Sequence, residues 1–222
     1  MLFAAGFGAR MGDLTADRPK PMISVAGRPL IDHALDLIKT YGPLKTVVNT
    51  HYKPQALMEH LKEEPVHLIH EEGEILETGG GLRNALPMLG TDPVFTMNTD
   101  AVWAGPNPLQ TLSMSWDPDK MDACLLCLPT HLAIGHEGNG DFVAEANMPA
   151  QRGPGLVYSG LQIVKTDRLR DIKRDVFSLN ALWDLLMADQ RLFITPYDGQ
   201  WCDVGYPEAI PLAERMLEAS GV

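Results

Sequence analysis

Apolar positions along this chain alternate between two periods. LFAA at 2–5 is a short continuous apolar run, as a buried strand requires. After a loop to Pro29, Leu30, Ile31, Ala34, Leu35 and Ile38 recur at helical spacing, and Gly42 stands where such a helix would stop. TVVN at 46–49 returns to strand character. Pro54 can open a helix with Leu57, Met58 and Leu61 on one face. VHLIH at 66–70 reads as a strand, ETGGG at 77–81 as an interruption, and LRNALPML after it as a helix. PVFTMNTD at 93–100 is an apolar strand that ends in an acid. Strand and helix taking turns in this way predicts an α/β domain with a mostly parallel sheet covered on both faces.

The second half is less regular. ACLLCLP, DFVAEA, VYSGLQIVK and LFITPYD read as strands. NALWDLLMADQ and the segment from Pro207 to Ala219 read as helices. These later elements are expected to form the second wall of a cleft.

Composition adds limits. Of 222 residues, 45% are apolar, which suits a soluble globular chain with a full core. Lys and Arg number 18 against 29 Asp and Glu, a formal net charge of −11. No basic face for nucleic acid or anionic membrane is expected from such a balance. Any anionic ligand then needs local cations or a metal ion. Three cysteines are too few, and odd in number, for a disulfide scaffold, which points to a reducing, cytoplasmic setting. Cys124 and Cys127 form a C-x-x-C inside a strand, where positions three apart point to opposite faces. Buried core is the expected role. No apolar run reaches the roughly 20 residues of a membrane span, and Met1–Ala5 is broken by glycines and Arg10 before it could form a signal peptide.

The chemistry concentrates in AAGFGARMGDLTADRPKP, Ala4 to Pro21. A glycine-rich turn after a first strand lets backbone N–H groups approach phosphate oxygens. Arg10, Arg18 and Lys20 bring cations to that turn. The dinucleotide pattern G-x-G-x-x-G fails because Met11 takes the third glycine's place, and the Gly-Lys-Ser/Thr of a Walker loop is absent.

AAGFGARM followed by DRPKP resembles the L-A-A-G-x-G-x-R-M … P-K-P signature of the sugar-1-phosphate nucleotidyltransferases. LETGGG at 76–81, Asn98-Thr99-Asp100, Gly140-Asp141-Phe142, Tyr158-Ser159-Gly160 and Trp201–Gly205 follow in the family's order, so the resemblance spans essentially the whole chain. Short length, LETGGG and the late D-V-G are most similar to the branch that uridylylates N-acetylmuramate 1-phosphate. The resemblance implies a Rossmann-like three-layer α/β/α sandwich with a mixed, mostly parallel central sheet. It implies one domain, with 1–105 as the nucleotide half and 106–222 as the sugar-phosphate half. The implied substrates are an NTP, UTP first, and a sugar 1-phosphate. A guanylyl- or cytidylyltransferase and a non-catalytic nucleotide-sugar sensor are the alternatives, and a monomer or small homo-oligomer is expected.

Residue by residue, Arg10 is expected to grip the β- and γ-phosphates and Lys20 the α-phosphate. Ala4, Ala5, Gly6, Gly8, Thr78, Gly79 and Gly80 are expected around the nucleotide, with Thr78 also able to cap the helix that follows. Asn98, Asp141, Ser159 and Gly160 are expected at the sugar phosphate, and Asp100 and Asp203 on Mg²⁺. Two departures stand out. The family's N-G-D is N-T-D here, so Thr99 is expected to narrow or polarise the pocket. The family's Glu-Lys-Pro reads EANMP at 145–149, with Met148 in the lysine's place and Arg152 as the candidate substitute. Arg18 is as consistent with loop support as with phosphate binding. His131, His136 and Glu137 are expected in a mobile loop over the sugar site rather than in a metal centre. Trp103 suits either the core or a wall of the sugar pocket.

Overall fold

The computed structural model describes residues 1–90, 93–145 and 148–221. Four parallel strands form its first half: β1 (Leu2–Phe3), β2 (Thr46–Thr50), β3 (Val66–His70) and β4 (Val94–Asn98). β1 lies between β2 and β4, and β3 lies outside β2. Helices α1 (Leu30–Tyr41), α2 (Pro54–His60) and α3 (Glu77–Leu89) make the crossovers. All five residues of β2 are buried, so the strand does not alternate between core and solvent.

The second half continues with β5 (Ala101–Ala104), α4 (Pro108–Ser115), β6 (Ala123–Pro129), β7 (Leu156–Val164), α5 (Asn180–Ala188), β8 (Leu192–Pro196), β9 (Gln200–Asp203) and α6 (Ala209–Ser220), and β6, β7 and β8 extend the same sheet. β7 runs antiparallel between β4 and β6, and β8 lies parallel to β6. The strand order is therefore β3-β2-β1-β4-β7-β6-β8. β5 and β9 leave this sheet and pair with each other, and β9 also pairs with Ala133–Ile134.

Three apolar clusters hold the layers. α1, α2 and α4 pack on one face of the sheet through Ile31, Leu57 and Leu112. α3 and α5 cover the other through Leu82 and Leu186. α6 closes a third cluster against the small sheet through Met216 and Cys202. Cys124 sits in the first and Cys127 in the second, on opposite faces as their spacing requires.

Two elements depart from the pattern. β1 ends at Phe3, because the next N–H, that of Ala4, leaves the ladder to bond the Asn49 side chain at 2.8 Å. α3 begins at Glu77, so the glycine triplet lies inside its first turns instead of interrupting. The reason is tertiary. A Cβ on Gly79 would stand 2.4 Å from the Phe177 ring, and one on Gly80 would stand 2.4 Å from the Asp175 carbonyl oxygen. Only glycine lets this end of the helix dock there, and packing overrides its poor helix propensity. Thr78 does not cap its own helix. Its Oγ1 accepts a hydrogen bond from Leu179 N, just ahead of α5.

Candidate active site

The carboxyl ends of β1 and β4 open into a cleft of about 380 Å³. The strand order changes direction here, the place where open α/β sheets bind ligands. Ala4, Ala5, Gly6 and Gly8 form one wall. Ile75, Glu77 and Thr78 form another wall, and Asn98 at the end of β4 lines the cleft with Thr99 and Asp100 just after it. Gly8 has φ 64°, and a Cβ there would stand 3.0 Å from that of Lys20, so the bare turn lies directly on the lysine stem.

Two cations face the cleft. Met11 is buried in the α6 cluster and anchors the turn, while Arg10 stays exposed beside the opening. Pro19 and Pro21 flank Lys20, whose side chain is only 11% exposed, and its Nζ donates to Asp100 Oδ2 at 2.9 Å. Arg18 instead bonds Asp17 on the surface, which supports the loop reading.

Two acids meet them. Asp203 ends β9 opposite Ala101, and Val204 N donates to Asp100 O at 2.8 Å, so the two acidic strand ends are joined. Burial, then the Asp100 charge, push the Asp203 carboxyl up to about 6, against the pull of Lys20, Arg10 and His136. A Cβ on Gly205 would lie 3.0 Å from both Arg10 Nη1 and Asp203 Oδ2, so glycine keeps this corner open. Asp100, bonded to Lys20, and Asp203 beside it are the carboxylates here that could hold a divalent cation. Among the described residues there is no group of three or more His, Cys, Asp or Glu side chains placed to hold a metal ion.

Residues 1–145, well over half the chain, match the model for the MobA-like NTP transferase domain. The chain belongs to the MobA-like NTP transferase family. It is 37% identical to the N-acetylmuramate alpha-1-phosphate uridylyltransferase of Caulobacter vibrioides, across 99% of this chain and 97% of that protein. It is 29% identical to the enzyme of the same description from Neisseria meningitidis serogroup B, across 92% of each. The inositol-1-phosphate CTP transferase of T. maritima has the same fold, with a TM-score of 0.78 at 14% identity, over 98% of this chain and 95% of that one.

In this NTP transferase several expected site residues make contacts within the fold. Gly79 N and Gly80 N both donate to Phe177 O, so both are packed against the second half of the chain, and the residues of this segment that line the cleft are Ile75, Glu77 and Thr78. Ser159 is buried and its Oγ donates to Leu126 O at 2.6 Å, which ties β7 to β6. Gly160 does mark a close approach, but the approaching group is Asn98, whose Nδ2 would be 2.9 Å from a Cβ there. Gly160 thus makes room for a cleft residue. Asp141 Oδ2 accepts from Tyr158 N and braces the start of β7. Arg152 bonds Asn180 on α5 and lies over the Phe142 ring. Met148 is exposed in a groove with Met187 and Gln190, away from the cleft; Ala146 and Asn147 of EANMP lie outside the described residues.

Other residues are clarified. Thr99 Oγ1 donates to Phe3 O at 2.7 Å and fastens the ends of β1 and β4 together. Trp103 packs edge-on to Tyr197 in the core. Gly135 lies against Asp203, since a Cβ there would meet its carbonyl oxygen at 2.3 Å; this brings the histidine loop beside the acids. Pattern reading missed Asn49 and Glu77. The signal for Asn49 was present, as a polar residue at the carboxyl end of an apolar parallel strand. Glu77 takes φ 59°, a left-handed backbone rare outside glycine, which no pattern announces.

Proposed function

We propose that this chain transfers a uridylyl group from UTP to a sugar 1-phosphate, with N-acetylmuramate α-1-phosphate as the acceptor. The observation that carries the chemistry is Lys20 held on Asp100 beside Asp203, at the mouth of a glycine turn that also presents Arg10. The base and sugar rest on full-length similarity to two uridylyltransferases of that specificity.

An oxygen of the acceptor phosphate attacks the α-phosphorus. The new O–P bond forms as the bridge to the β-phosphate breaks, and its electrons leave on pyrophosphate. Both nucleophile and leaving group are phosphate oxygens, so no side chain has to remove a proton. The protein's task is positioning and charge neutralisation. Lys20 is nearly buried and pre-aimed by Asp100, so it can follow the charge that grows at the α-phosphate. Arg10 is free to swing onto the outer phosphates. Asp100 and Asp203 would hold Mg²⁺, which when bound neutralises phosphate oxygens. We assign the nucleotide to residues 1–105 and the sugar phosphate to the wall drawn from 106–222. A cytoplasmic setting is supported by three unpaired cysteines, and no helix among the described residues is long and apolar enough to cross a membrane.

Pyrophosphate release from UTP, GTP, CTP and dTTP with Mg²⁺, each against N-acetylmuramate, mannose and glucose 1-phosphates, tests this reading. Turnover should be highest with UTP and the muramate. Preference for another base or sugar would move the specificity. No turnover with any pair would remove the enzymatic reading.

A further inference from the structure

Beneath the cleft lies a buried carboxylate that the chemistry above does not use. Glu71 directly follows β3 and is 2% exposed. Its Oε1 accepts from Asn49 Nδ2 at 2.6 Å, and its Oε2 accepts from Leu76 N at 2.9 Å. Asn49 faces the other way as well, its Oδ1 accepting from Ala4 N at 2.8 Å. That backbone N–H can only donate, which fixes the amide orientation and turns Nδ2 toward Glu71. A hydrogen-bonded chain therefore runs Ala4–Asn49–Glu71–Leu76 across the floor, from the glycine turn to the start of α3.

The main chain of Glu71 is equally fixed. Its N donates to Thr50 O at 2.8 Å, and its O meets His51 Nδ1 at 2.9 Å. Gly81 closes the last side: a Cβ there would stand 2.8 Å from Oε1 and 3.0 Å from Asn49 Nδ2. Leu76 is the N-cap of α3, so the carboxylate also sits at the positive end of that helix.

Burying a carboxylate is costly, and no cation among the described residues bonds this one. An apolar side chain would fill the space at lower cost, but it could not hold two N–H donors on separate walls. We propose that Glu71 is a positioning residue that sets the separation of the two nucleotide walls, and so governs NTP affinity rather than the chemical step. This rests on the nucleotidyltransferase reading above.

Glu71→Gln keeps the volume but offers one acceptor oxygen in place of two, so one wall is released. Gly81→Ala keeps the carboxylate and pushes a methyl group into it. Each should raise KM for UTP about tenfold or more, the effect of losing one hydrogen bond to a charged acceptor. kcat and KM for the sugar phosphate should change less than about threefold. Equal rises in both KM values, a fall in kcat alone, or an unchanged KM for UTP in a folded variant would overturn the assignment. If neither variant folds, hydrogen exchange on the wild-type protein decides. Mg²⁺–UTP should protect the amides of Ala4 and Leu76 together, and protection of one alone would overturn it. Wild-type protein without turnover would mean the underlying reading had failed instead.

Discussion

Lys20 is the side chain on which the proposed chemistry leans most. Its Nζ lies 2.9 Å from Asp100 Oδ2 in a largely enclosed position, where a fixed charge is worth more than in water. Lys20→Ala should leave the fold intact and lower kcat by about 10²–10³, as read from steady-state pyrophosphate release. Loss of under tenfold in a folded variant would exclude the role. Asp203 makes a different prediction. Its carboxyl is pushed up to about 6 by burial and by Asp100, against 3.8 in an unfolded chain. Between those values the folded state binds more protons than the unfolded state, so this group's contribution to stability falls as pH rises through the window and stays lost above it. Asp203→Asn removes that slope. Without metal, the variant should gain on the order of 1–2 kcal/mol over wild type at pH 7 relative to pH 4, while losing most activity. Urea midpoints at the two pH values measure it, and an unchanged difference would mean that Asp203 is not charged against its surroundings.

At the level of elements, α3 shows where pattern and packing part company. Three consecutive glycines read as a break, yet they open a helix because Phe177 and Asp175 approach from the other half of the chain. Gly80→Ala puts a methyl 2.4 Å from the Asp175 carbonyl oxygen. It should cost about 1–3 kcal/mol, the usual penalty of overpacking. Chemical denaturation checks this; a variant as stable as wild type would mean that α3 does not dock as described. The same contrast explains what was legible. Parallel strands and crossover helices announce themselves through local periodicity. The turn carrying Arg10 and Lys20 and the acids Asp100 and Asp203 stood out as motifs, and the fold brings Lys20 onto Asp100 and joins Asp100 to the residue after Asp203. The contacts of Ser159, Gly160 and Arg152 were not legible because their partners, Leu126, Asn98 and Asn180, are distant in sequence.

Over the whole molecule, the sheet gathers residues from both ends of the chain onto one edge, and local cations there offset a net charge of −11. The core behind that edge is divided among three apolar clusters, and each holds one free cysteine: Cys124, Cys127 and Cys202. Burial pushes the Cys124 thiol up to about 11 and Cys202 to about 12, with Cys127 raised well above its ordinary value. Thiolates, not thiols, react with alkylating reagents, so the native enzyme should resist them. Each sulfur then becomes a clock on the opening of its own compartment. Timed alkylation followed by peptide mass spectrometry should show Cys202, under the small sheet that ends in Asp203, marked before the two that lie in the central sheet. Mg²⁺–UTP should slow that first clock most. Three equal rates would instead describe a molecule that opens only all at once.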